Sequence, residues 1–185
     1  MINLSRMRKN RLKEIVRASQ KPLTPEEKEN VRNYNERQKY IKLKPELWPD
    51  FDLLWDYNLE NQRYAIDGCT KETFYEQFPE GLQLGNVSLQ ELKNALKSHY
   101  EVKKDKIWGL GKDQKLAKAI LHWKEKKTMT PIFIGFSKDT LTIRGGYHRY
   151  SVCVVKNPEI IPILIESSGK EKLEKILSVE WTTLK

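Results

Sequence analysis

The stretch Leu141 to Arg149, Leu-Thr-Ile-Arg-Gly-Gly-Tyr-His-Arg, constrains this chain most, because it reads as a strand running through a glycine pair straight into a helix. Glycine reaches positive φ at no steric cost, so Gly145 and Gly146 permit the tight turn such a junction needs. A helix start offers unpaired N–H groups and a partial positive charge, and glycines let an anion approach them. Arg149 adds a forked set of donors and His148 a donor or proton carrier, both suited to phosphate. A plainer reading fits the same residues: the glycines only turn the chain, and His148 and Arg149 lie on a solvated helix face.

The flanking pattern sets the fold class. Asp113 to Lys127 carries Leu116, Ala119, Ile120 and Trp123 at helical spacing, with Asp113 placed to cap. Thr130 to Phe136 and Thr140 to Arg144 read as strands around a hairpin turn at Ser137-Lys138-Asp139. Tyr147 to Val155 follows as a short helix ended by Asn157-Pro158, then an apolar strand from Ile160 to Glu166 and a helix from Lys170 to Leu177. Upstream, Thr24-Pro25-Glu26-Glu27 and Ser88-Leu89-Gln90-Glu91 are capping boxes, predicting helices to about Lys44 and about His99. Phe78-Pro79-Glu80-Gly81 and Gly85-Asn86 read as breaks. The class is α+β, and 185 residues suffice for one good core with an appended arm. We place the boundary so that residues 1–84 form a helical extension and 85–185 the domain.

A formal net charge of +9 favours a polyanionic partner, although lysine-rich surfaces also serve solubility alone. The charge is densest in residues 1–20, where Arg6, Arg8, Lys9, Arg11, Lys13 and Arg17 face the single acid Glu14 among interleaved Leu4, Met7, Leu12, Ile15 and Val16. This predicts a basic amphipathic helix that lies on nucleic-acid phosphates or docks on the protein; an Arg-rich presequence is a third reading. Between Pro45 and Phe78 the chain turns aromatic and acidic, with core filling and base stacking as alternatives for Trp48, Phe51, Trp55 and their neighbours. A helix from Pro49 to about Arg63 would align Asp52, Asp56 and Glu60 as a solvent-facing stripe or a magnesium site. Gly109-Leu110-Gly111-Lys112 is a fragment of a phosphate loop without its full spacing. Cys69 and Cys153 show no zinc pattern, no apolar run approaches a membrane span, and no signal-peptide segment stands out, so the expected setting is the cytoplasm with reduced thiols.

From about Gly111 to Glu166 the order of elements resembles the ParB/sulfiredoxin superfamily. The most specific part is Gly145-Gly146-Tyr147-His148-Arg149-Tyr150, which is similar to the sulfiredoxin signature Gly-Gly-Cys-His-Arg-Tyr, supported by Ile161-Pro162-Ile163. ParB partition proteins and ParB-like nucleases carry a looser version of the junction. The resemblance implies a small mixed sheet with packed helices, and nucleotide phosphates (ATP or CTP, with Mg2+) held by Gly146, His148 and Arg149. Arg144, Gly145 and Tyr147 are expected to contact the phosphates too, and Lys115 with Lys118 would join from the preceding helix. It further implies NTP hydrolysis or DNA cleavage, with His148 and Arg149 catalytic. The alternative is a non-catalytic DNA- or protein-binding module of phage or plasmid type, and a homo-oligomer is compatible with either. Tyr147 stands where sulfiredoxins have their nucleophilic cysteine, and a phenol cannot replace a thiolate, so sulfinic acid repair is not expected.

Overall fold

The computed structural model describes residues 22–96, 98–109 and 113–182. The predicted basic helix, including Arg6, Arg8, Lys9, Arg11, Lys13 and Arg17, lies outside the described residues, as do Leu110, Gly111 and Lys112. Contacts divide the chain into two units, 1–36 and 37–185. The boundary expected between residues 84 and 85 falls inside a strand, and the aromatic stretch belongs to the second unit.

Helix α1 (Pro25–Gln38) begins with the full capping box: the Glu27 amide donates to Thr24 Oγ1 at 3.2 Å and the Thr24 amide to Glu27 Oε2 at 2.7 Å. It stops short of Lys44, because Tyr40 turns into the core and Lys42 adopts a positive φ that no α-helix accommodates. The helix expected from Pro49 to Arg63 does not form. Residues 49–57 are extended or irregular, Trp55 bridges Met129, and Leu59–Ala65 is a 3-10 helix. Aromatic burial overrides the helical charge spacing: Phe51 stacks on Trp123 with ring centres 6.2 Å apart, Trp55 meets Trp123 edge-on at 5.4 Å, and Trp123 Nε1 donates to the Leu54 carbonyl. Asp52, Asp56 and Glu60 therefore share no helical face. Asp56 instead accepts from the Asn58 amide and Asn61 Nδ2.

Then come α2 (Lys71–Gln77), β1 (Gln83–Ser88), α3 (Leu89–Ala95), α4 (Asp113–Lys124), β2 (Ile132–Ser137), β3 (Thr140–Gly145), α5 (Tyr147–Lys156), β4 (Ile160–Ile165), α6 (Lys170–Glu174) and β5 (Val179–Thr182). The five strands make one mixed sheet in the order β3-β2-β4-β1-β5, with β2 and β4 parallel and the other pairs antiparallel. The apolar run of β4 fits its central place. Within that run Pro162 stands opposite Asn86 of β1, and the register with β2 begins at the next residue, Ile163. Gly85-Asn86 is not a break but mid-strand in β1, opposite Ile163 and Pro162; glycine stands there because a Cβ would meet Val179 and Trp181 of β5. Ile132, Ile134, Leu141, Ile143, Ile161 and Ile163 face Tyr150, Cys153 and Val154 of α5, while Phe133 and Leu164 face Ala65 and Phe74. The 3-10 segment and α2 thus cover one face of the sheet and α5 the other, with the β3–α5 junction at the rim.

Candidate anion site at the β3–α5 junction

Gly146 is the N-cap residue of α5 in the left-handed conformation, φ +84°, and no side chain caps the helix. The junction is crowded from below. A Cβ on Gly145 would stand 2.0 Å from the Ala65 carbonyl oxygen, and one on Gly146 would stand 2.6 Å from a terminal guanidinium nitrogen of Arg149. The glycine pair thus admits the backbone of the 3-10 segment on one side and the arginine head on the other.

Arg149 is 8 % exposed, so the solvated helix face expected in the plainer reading does not describe it. Its two terminal nitrogens donate to the carbonyls of Tyr64 and Ala65, both at 3.4 Å, and its Nε is buried without a hydrogen-bond partner. Those distances lie beyond the usual range for N–H···O bonds. Burial pushes the guanidinium down to about 10, opposed by the negative charge of Asp67. Among the described residues no carboxylate makes an ion-pair contact with it.

Lys115, from the start of α4, pairs with Asp67 on the turn after the 3-10 segment. The hydrogen bond from Lys115 holds the Asp67 carboxyl below its ordinary range; partial burial opposes this, and the charges of Lys115, Arg149 and His148 reinforce it. One carboxylate therefore lies close to two cations, Lys115 and Arg149, and to the His148 ring, and these are three of the residues singled out from the sequence. Asp67 was not among them: it is a lone acid in a turn, and only the folded chain carries it to Lys115.

Of the other expected side chains, Lys118 and Arg144 have separate surroundings, whereas the Tyr147 ring meets His148 edge-on at 6.1 Å. Lys118 is exposed on α4, where its charge bears on His122. Arg144 lays its stem over Gly135 and directs its guanidinium toward Glu166 at 3.9 Å. Tyr147 packs its half-buried ring against Tyr100 and Tyr150, and burial raises its phenol. Cys153 is fully buried on α5, its thiol pushed up to about 12, mainly by burial. Among the described residues no three or more His, Cys, Asp or Glu gather as a metal site, and no helix is long and apolar enough to cross a membrane.

The arrangement can receive an anion: a glycine-capped helix start, a buried arginine with an unused donor, and a partly exposed lysine and histidine close by. Comparison of the chain with family models, with curated proteins and with solved structures finds no match, so the site's chemistry stands on these residues alone.

Proposed function

We propose that the β3–α5 junction binds the phosphates of a nucleotide, ATP or CTP, and that the chain acts on phosphate groups as an NTPase or a DNA nuclease of ParB/sulfiredoxin type. The observation that carries this reading is Arg149, a buried cation with an orphan Nε, long bonds to two neutral carbonyls and, among the described residues, no carboxylate in contact. A buried charge so poorly compensated is costly, and an entering phosphate would satisfy it. The Gly-Gly-Tyr-His-Arg-Tyr resemblance supports the same assignment. Lys115 and Arg149 would neutralise the phosphate, the amides at the start of α5 would orient it, and His148 would hold or pass a proton. Mg2+ comes with the nucleotide in this reading. The donor set does not form a magnesium cage, since among the described residues no three or more His, Cys, Asp or Glu gather there. Charge neutralisation is therefore assigned to the side chains.

Calorimetric titration with ATP, CTP and GTP in magnesium, followed by incubation with each nucleotide and with linear and supercoiled DNA, tests the proposal. Binding that Lys115→Met weakens, with phosphate release or nicked DNA, supports it. Absence of binding to all three nucleotides overturns it. The net charge of +9 favours the second reading, a non-catalytic DNA- or protein-binding module, whose mark is salt-sensitive binding without turnover.

A further inference from the structure

The segment that covers the junction supplies acceptors to both Arg149 and Lys115. Tyr64 and Ala65 give Arg149 their carbonyls, and two residues on Asp67 gives Lys115 its carboxylate. A turn carrying two carbonyl dipoles and one negative charge toward a lysine, a histidine and an arginine presents what a phosphate would present. Its hold is weak at the tip. The Asp67 side chain is 84 % exposed and that of Lys115 42 % exposed, so water screens the pair and it contributes little. The tip is also uncrowded: Gly68, φ +74°, has no heavy atom within 4 Å of where a Cβ would stand. Deeper in the segment the contact is close, because Gly145 lets the Ala65 carbonyl sit against the junction. The strap is thus anchored at Ala65 and only lightly held at Asp67.

We infer that Asp67 is a built-in competitor for the anion site, occupying Lys115 until a phosphate displaces it and so setting the affinity threshold of the site. The inference rests on the proposed phosphate-binding reading and deepens it. Displacement exchanges one carboxylate on Lys115 for an anion of higher charge and frees the turn at Gly68; no covalent bond changes.

The test uses tripolyphosphate as the probe and calorimetry on the full chain, comparing wild type with Asp67→Asn, Asp67→Ser and Lys115→Met. The expected result is that both Asp67 variants bind the probe more tightly than wild type, by up to about fivefold, the factor that removing a competing exposed pair of up to about 1 kcal/mol allows, whereas Lys115→Met binds more weakly. Equal affinity in wild type and both Asp67 variants, with Lys115→Met still weakened, overturns the competitor role and leaves the anion site standing. No binding by wild type or by either Asp67 variant overturns the site itself and the inference with it. Two substitutions at an exposed turn position keep the comparison on folded protein, and a structural role for Asp67 would weaken binding rather than strengthen it.

Discussion

Arg149 is both the strongest argument for an anion at the junction and a clip that holds the covering segment. On the sequence alone, replacing it with alanine would be expected to abolish nucleotide binding and leave the melting temperature near wild type. Its burial and its bonds to Tyr64 and Ala65 change that expectation. Arg149→Ala leaves two carbonyls without their donor, and urea unfolding should show a loss of about 1–3 kcal/mol. Gly145→Ala acts on the same contact from the other side, since its Cβ must push the Ala65 carbonyl away, and should cost about 1–3 kcal/mol in the same assay. The two cysteines give an independent check on the packing of α5. Cys153, buried with its thiol pushed up to about 12, should resist alkylation at pH 8 in the folded protein, while the partly exposed Cys69 reacts; mass spectrometry of labelled peptides before and after unfolding reads both. Arg149 and His148 were visible in the sequence because the glycine pair before them leaves a local mark, whereas Lys115 entered only through the family resemblance. Asp67 and the Tyr64 and Ala65 carbonyls leave none, because any turn carries carbonyls and acids.

Among the elements, α3 shows where local signals end. Ser88 and Glu91 read as a capping box, and Ser88 Oγ does accept from the Glu91 amide, at 3.4 Å. The Glu91 carboxylate does not return to the cap. It accepts from the Ser178 amide at 2.9 Å, fixing the entry to β5. Because the two side chains serve different partners, Ser88→Ala should cost about 0.5–1 kcal/mol and Glu91→Ala about 1 kcal/mol, and chemical denaturation of the double variant should give nearly their sum. The run from α4 through β4 was legible for a physical reason: each element has its own periodicity, and the two-residue turn at Lys138 and Asp139 and the stop at Asn157 are local chemistry. Strands β1 and β5 were not legible. The glycine of β1 looks like a turn until Trp181 is seen against it, and β5 is four residues whose strand partner, β1, lies 92 or more residues earlier in the chain. The helix expected over Pro49 to Arg63 failed for the converse reason, since its charge spacing was real and the burial of Phe51 and Trp48 decided the backbone.

For the whole molecule, a charge of +9 makes any encounter with nucleic acid an ionic-strength effect. Affinity for duplex DNA, measured by fluorescence anisotropy at a series of salt concentrations, should fall linearly on a log–log plot, and removal of residues 1–20 should reduce the slope, because that segment holds six arginines and lysines between Arg6 and Arg17. One further arrangement bears on how such experiments are read. The indole N–H groups of Trp48 and Trp108 both donate to the single carbonyl of Leu43, at 3.1 and 2.7 Å, with their rings edge-on and 6.2 Å apart. Trp55 and Trp123 belong to the same cluster, so four of the five tryptophans report on one neighbourhood, the turn after α1 and the extended aromatic stretch. Two indoles that close are coupled chromophores, and their near-ultraviolet circular dichroism is a fingerprint of that turn. None of the four belongs to the Lys115–Asp67–Arg149 cluster, so a nucleotide titration followed by intrinsic emission would stay almost silent while heat is released, and a change in emission would instead report on the Leu43 turn or on Trp181 in β5.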